Sequence, residues 1–156
     1  MEGELFGVDG VGGARKVGTL EQAHGGTMLL DEVADMPIET QAKFLRVLQD
    51  QAVQRLNGSE PMKVDVRVIA TTSKNLNEQI EQGRFREDLF YRLRVVPIDV
   101  PPLRNRREDI PALARHLMNA AAQRAGLPPR QLGEDAIAAL QAYNWPGNVR
   151  QLCNVI

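Results

Sequence analysis

The chain has 156 residues, 43% of them hydrophobic and 25% charged, and a formal net charge of -1. That balance supports one ordinary globular core with a small appendage, excludes a disordered or fibrous chain, and gives no global basic field to hold a polyanion such as nucleic acid. No apolar run approaches a membrane span, and the opening Met-Glu-Gly-Glu lacks the basic region of a signal peptide, so a cytoplasmic location without membrane contact is expected.

Val8 to Val17 is glycine-rich, with Gly10, Gly12 and Gly13, and reads as a mobile loop between two ordered elements. It holds Lys16 but not the Gly-x-x-x-x-Gly-Lys-Ser/Thr spacing whose backbone amides cradle phosphate. The apolar run Met28 to Leu30 ends in two adjacent acids, Asp31 and Glu32. It reads as a buried parallel strand delivering both carboxylates to the carboxyl edge of a sheet, where open α/β folds bind ligands. Pro37 suits the first turn of a helix, and Phe44, Leu45, Val47 and Leu48 then recur at helical spacing. Val53 to Leu56 and Val64 to Ala70 read as two strands around a hairpin-like excursion turning at Asn57-Gly58.

Leu76 to Gln82 and Glu87 to Leu93 read as short helices, and Val95 to Val100 as a further strand ended by Pro101-Pro102. Ile110, Leu113, Ala114, Leu117 and Ala121 then mark one face of an amphipathic helix, stopped by Gly126 and Pro128-Pro129. A second helix runs from about Glu134 to Tyr143. Trp145-Pro146-Gly147-Asn148 leads into a third, with Asn148 as its cap and Gln151 in a capping-box relation. The single cysteine, Cys153, reads as a small buried apolar residue of that helix in a reducing compartment. Strands and helices alternate first and helices alone follow, which implies an α/β layer with a small helical domain attached.

The chemistry carried by Asp31 and Glu32 is that of a Walker B strand. Mg²⁺ keeps several waters and takes one or two carboxylates plus substrate phosphates, so Asp31 suits the metal, held through water. Glu32 can then orient the attacking water, the step that charge stabilisation alone leaves open in phosphoryl transfer. The alternative for an isolated acid pair is a solvated turn at a strand end.

The order of motifs resembles the AAA+ domain of bacterial sigma-54-dependent activators, the NtrC type. Glu4 to Gly7, Leu20 to Thr27, Asp31-Glu32, Gln41 to Gln49, Val64 to Ala70, Phe85 to Leu93, Pro101 to Arg104 and Trp145 to Arg150 match its pattern in sequence. The resemblance implies a partial AAA+ P-loop NTPase core with a parallel sheet over residues 1–103, followed by a helical lid over 104–156 that is cut at its C-terminus. It implies ATP and Mg²⁺ as ligands of the complete domain, and a homo-oligomeric ring, hexamer or heptamer, in the parent protein. Asp31 and Glu32 take the Walker B roles; Asp31, Thr72 and Arg150 contact nucleotide and metal. Arg86 and Arg92 fall where the family keeps arginine fingers that reach into a neighbour's site, worth ~10³ to 10⁵ in rate. The alternative for both arginines is pairing with Glu87 and Asp88 on a helix surface. Arg150 holds the sensor-2 position, or is a solvated charge at a helix end.

Two departures stand out. The family's sensor-1 segment ends in Ala-Thr-Asn, whereas here the register gives Thr71-Thr72-Ser73. Between Gly7 and Gly18 the family carries a Gly-Ala-Phe-Thr-Gly-Ala loop that contacts sigma-54, but this chain has a shorter stretch without an aromatic anchor. That shortening is similar to the NtrX branch, and contact with sigma-54 or RNA polymerase is expected to be absent or altered. A full member would begin earlier, with a Walker A loop, and continue into a helix-turn-helix domain that alone would bind DNA. The chain alone is therefore expected to lack ATPase activity, and the alternative function is a non-hydrolysing, nucleotide-responsive oligomerisation module.

Overall fold

The computed structural model describes residues 1–10, 15–128 and 131–156. The chain divides into two compact units, Met1–Pro97 and Ile98–Ile156.

In the first unit, α1 (Glu2–Leu5), β1 (Val8–Asp9), β2 (Arg15–Lys16) and α2 (Thr19–Gln22) precede β3 (Gly26–Leu30) and α3 (Ile38–Asp50). Then come β4 (Ala52–Gln54), β5 (Pro61–Lys63), β6 (Val66–Ala70), α4 (Leu76–Glu81) and α5 (Glu87–Leu93). β3 and β6 form a parallel pair in register Gly26↔Val66 to Leu30↔Ala70. Parallel strands need a long crossover, and α3 with the β4–β5 hairpin supplies it.

The core gathers Leu20, Met28, Phe44, Val53, Phe85 and Leu89, each 4% exposed or less. Side chains of this size contribute ~1.5 to 3 kcal/mol each when fully buried. α3 supplies its inner face with Phe44, Leu45 and Val47, spaced so that they return to one side of the helix.

The base of the β1–β2 hairpin is closed by two glycines. Gly7 has φ +84°, and a Cβ on Gly18 would stand 2.4 Å from both the Gly7 nitrogen and the Phe6 carbonyl carbon. Only hydrogen fits between these backbones, so the end of α1 and the start of α2 can touch directly.

Several expectations change here. The stretch Val8 to Val17 is a hairpin at its ends, where Val8 pairs with Lys16 and Asp9 with Arg15; its tip, residues 11–14, lies outside the described residues. β3 is parallel but buried on one face only, since Met28 is enclosed while Leu29 is 61% exposed beside exposed Ile69. An apolar run cannot by itself report whether one or both faces of its strand are covered. Pro37 is the residue before α3 rather than part of its first turn. The partner of β4 is β5, not Val64 to Ala70, because Asn57 takes the left-handed conformation (φ +62°) and the chain returns at Pro61–Lys63. No strand forms at Val95 to Val100: Val95, Val96, Ile98 and Val100 are at least 75% exposed. Alternating β-branched residues favour a strand, but without a neighbouring edge their backbone groups have no ladder to join.

The second unit holds α6 (Ile110–Ala125), α7 (Glu134–Ala142) and α8 (Asn148–Val155) around Leu103, Ile110, Trp145 and Leu152. Gly126, at φ +65°, caps α6; Pro129 lies outside the described residues. The Trp145 indole N–H donates to the Leu140 carbonyl at 2.7 Å, which satisfies the polar end of a buried ring. Asn148 does not cap α8. Its side-chain oxygen accepts the Leu103 N–H at 2.9 Å, while Gln151 Oε1 accepts the Gly147 N–H at 3.0 Å. Cys153 is exposed, because Leu152 and Ile156 form the inward face of α8 and the position after Leu152 turns away from it.

Among the described residues no helix is long and apolar enough to cross a membrane.

Candidate functional site

The parallel register puts the ends of β3 and β6 side by side, so the residues after Leu30 meet those after Ala70. The Thr71 N–H donates to the Leu30 carbonyl at 2.9 Å, and the Val33 N–H donates to the Thr71 carbonyl at 2.8 Å, which carries the ladder one step past the strands. Asp31 and Glu32 therefore stand at the carboxyl edge of the sheet, the edge where α/β layers place ligands.

Thr71 joins the two acids. Its hydroxyl donates to Asp31 Oδ1 at 2.6 Å and accepts the Glu32 N–H at 3.2 Å. The first bond is short because its acceptor is charged. Glu32 Oε2 in turn accepts the Ser73 N–H at 2.9 Å, so the second carboxylate is aimed at the end of β6. Glu32 adopts φ +53°, ψ +55°, a conformation that costs a side-chain-bearing residue ~1 to 2 kcal/mol. Strain of this kind persists where neighbouring bonds over-determine the backbone, as the Thr71 and Ser73 contacts do.

A cleft of ≈ 240 Å³ runs beside the acids, lined by Met1, Leu5, Thr19, Met28 and Leu30. A larger depression of ≈ 620 Å³ at Ala34 to Ile38, Lys74 and Arg84 shares Met36 with it but contains neither acid, and there Lys74 is already paired with Asp35. The smaller cleft is the one that Asp31 and Glu32 line.

The remaining candidates are distributed. Thr72 Oγ1 accepts the Lys74 N–H at 3.1 Å within its own turn. Arg86, the residue that opens α5, makes a two-point contact with Asp88, Nε to Oδ1 at 3.0 Å and Nη2 to Oδ2 at 2.7 Å. The paired carboxylate raises the Arg86 pKa and the guanidinium lowers that of Asp88. Arg92, six residues further on in α5, donates from Nη2 to the Leu48 carbonyl at 2.8 Å. Among the described residues neither arginine bonds to Asp31 or Glu32. Arg150 is exposed in the first turn of α8, in the second unit.

Among the described residues no group of three or more His, Cys, Asp or Glu gathers to hold a metal. Asp31 commits Oδ1 to Thr71, which leaves its other oxygen for a ligand. That donor set fits a hard cation that keeps its waters and takes phosphate oxygens, and does not fit a cage made of protein ligands.

Sequence reasoning missed two participants. Thr71 stands where the family triplet has alanine, so its hydroxyl was the available signal. Gln41 is fully buried on α3 and holds the backbone on both sides of Phe85; at a helical position inside a matched motif it gave no sequence signal.

The Sigma-54 interaction domain profile matches residues 1–99, and the AAA+ ATPase lid domain profile matches residues 104–156. The chain belongs to the Sigma-54 interaction domain family. Relatives of this family include the nitrogen assimilation regulatory protein NtrX of Azorhizobium caulinodans, 57% identical over 99% of the chain and 34% of that protein. The DNA-binding transcriptional regulator NtrC of Escherichia coli K12 is 50% identical, again over 99% of the chain and 34% of that protein. The crystal structure of NtrX from Brucella abortus superposes with a TM-score of 0.92 at 59% identity, covering 99% of the chain and 36% of that chain. NtrX from the same organism in complex with ATP gives 0.91 at 57% identity, covering 99% and 34%. The chain thus spans about a third of the length of the curated relatives it matches. The Sigma-54 interaction domain has the expected α/β core with a parallel strand pair and a helical C-terminal part.

Proposed function

We propose that this Sigma-54 interaction domain is the central ATPase and oligomerisation region of a two-component transcriptional regulator, coupling ATP binding and hydrolysis at subunit interfaces to control of transcription. The observation that carries this reading is the acid pair at the carboxyl edge of the β3–β6 sheet, with Thr71 bonded to both residues. The ATP complex of Brucella abortus NtrX supports nucleotide as the ligand. In this reading residues 1–103 are the core and 104–156 the lid, and Asp31, Thr72 and Arg150 contact Mg-ATP.

Mg²⁺, when bound, neutralises charge on the phosphates. Asp31 would hold that ion through water with its free oxygen, while Thr71 fixes the other. Glu32 holds the attacking water and takes up its proton, once its carboxylate leaves the Ser73 amide. Arg86 and Arg92 stabilise charge in the site of an adjacent subunit, which requires Arg86 to exchange Asp88 for phosphate oxygens. The β1–β2 hairpin is short and carries no aromatic, so the reading includes no sigma-54 grip of the usual kind.

A second reading, a module that binds nucleotide without turnover, is favoured by the end of β6: the Thr72 hydroxyl is occupied within its own turn, and Ser73 has no side-chain amide where the family pattern has asparagine. The two separate in a chain extended upstream by a phosphate-binding loop. Glu32→Gln should keep ATP binding and lose most hydrolysis, while Asp31→Ala should weaken Mg-dependent binding. Small, equal effects from both would favour the second reading.

A further inference from the structure

We propose that Gln41 is a positioning residue for Arg86, fastening the backbone that carries this arginine to the turn that follows the acid pair. The proposal rests on the reading of Arg86 as a group that acts in a neighbouring site.

Gln41 lies on α3 and is 0% exposed. Its Nε2 donates to the Met36 carbonyl at 2.7 Å and to the Arg84 carbonyl at 3.0 Å, and its Oε1 accepts the Arg86 N–H at 2.8 Å. The partners fix the orientation of the amide: reversed, its oxygen would face two carbonyls and its nitrogen an N–H. Both donors and the acceptor are thus used, inside the protein, on three backbone groups from two distant stretches of chain.

Those stretches are the two that matter. Met36 closes the 3₁₀ turn Val33–Asp35 that leads directly out of Glu32. Arg84 and Arg86 flank Phe85, which is 2% exposed in the core, so residues 84–86 are pinned by a buried ring on one side and by a buried amide on the other. The Arg86 N–H precedes the helical ladder of α5, so the Gln41 oxygen gives it a partner that the helix does not. Beyond this pinned backbone the Arg86 side chain, among the described residues, bonds only to the exposed Asp88 carboxylate, a contact it can exchange for an anion. The geometry describes a fixed stalk with a releasable head. Positioning is what such a group contributes, and a displacement of ~1 Å at a reacting centre can cost ~10²-fold in rate.

Amide hydrogen exchange on the chain itself tests the anchor. In the unmodified protein the Arg86 amide should be as protected as the Phe90 amide inside α5. In Gln41→Met, which keeps the volume and removes the polar atoms, Arg86 exchange should accelerate at least about tenfold more than exchange at Phe90 or along β6. Uniform acceleration across the first unit would reduce Gln41 to a general stabiliser and overturn the proposal. If Gln41→Met fails to fold, fast exchange at Arg86 in the unmodified protein overturns it equally well.

Activity supplies the second arm, in the chain extended by a phosphate-binding loop. Gln41→Met should lower kcat about 10- to 100-fold with KM for ATP unchanged, and mixing it with Glu32→Gln should recover turnover, as Arg86→Ala mixed with Glu32→Gln does. Recovery with Arg86→Ala but not with Gln41→Met contradicts the positioning role. Recovery with neither mixture instead overturns the action of Arg86 in a neighbouring site, and the anchor is then judged by exchange alone.

Discussion

Replacing Thr71 by valine keeps the shape and the β-branching of the side chain and removes only the hydroxyl that joins the two acids. The deleted contacts are a 2.6 Å bond to a carboxylate and a 3.2 Å bond from a backbone N–H. Bonds to charged groups contribute ~1.5 to 3 kcal/mol and neutral ones ~0.5 to 1.5, but Thr71 and Asp31 are exposed, so water replaces much of both. A net loss of about 1 kcal/mol remains, because the left-handed Glu32 backbone loses one of its restraints. Thermal unfolding of the chain should show it as a fall in Tm of roughly 3 °C. In the chain extended by a phosphate-binding loop, freeing the Asp31 carboxylate and the Glu32 backbone should lower ATP turnover about tenfold, equivalent to ~1.4 kcal/mol in the barrier. Thr71→Ser should restore most of each effect. A Thr71→Val protein with unchanged Tm and unchanged turnover, or a serine variant as impaired as the valine one, would refute the reasoning.

Gly18→Ala should destabilise the first unit by about 3 kcal/mol or more in urea unfolding, since its Cβ would meet backbone atoms that cannot move independently. Gly25→Ala, with open space around it but φ +73°, should cost only ~1 kcal/mol. The Asp88 carboxyl is held below its usual value by Arg86, so the stability from this pair is fully present above the unfolded aspartate pKa of about 4. It is lost as pH falls through the depressed folded value, and Asp88→Asn should abolish that part of the acid titration of stability; both groups are largely exposed, so the effect is small. In a pull-down with a transition-state phosphate analogue the extended chain should not retain sigma-54, whereas grafting Gly-Ala-Phe-Thr-Gly-Ala between Gly7 and Gly18 should create measurable binding; capture by the unmodified hairpin would contradict this.

Much of the architecture was legible because it is periodic or carries punctuation. α3 announces itself through Phe44, Leu45 and Val47, α6 through Ile110 and Ala114, and the acid pair through the apolar run before it. What periodicity cannot express is the identity of a partner. Val64 to Ala70 alternates as a strand should, yet whether it pairs with β4 or β3 depends on where a turn at Asn57 sends the chain. Val95 to Val100 has strand-forming residues and no edge to join. At the candidate site, residue type alone singles out Asp31 and Glu32, but the hydroxyl of Thr71 and the amide of Gln41 bond across 40 and 45 residues of sequence, a coupling that only the folded chain displays. Asn148 shows the same limit in a cap: a residue suited to bond its own helix bonds Leu103 instead.

The most direct test of hydrolysis at subunit interfaces is to mix two inactive proteins, both extended by a phosphate-binding loop. One carries Arg86→Ala, with intact acids and a missing guanidinium; the other carries Glu32→Gln, with an intact guanidinium and a disabled base. A site that draws Arg86 from its neighbour predicts that the mixture recovers ATP turnover and that turnover of the unmodified protein rises more than linearly with concentration. A mixture as inactive as its parts, with unmodified turnover proportional to concentration, would contradict the interface site.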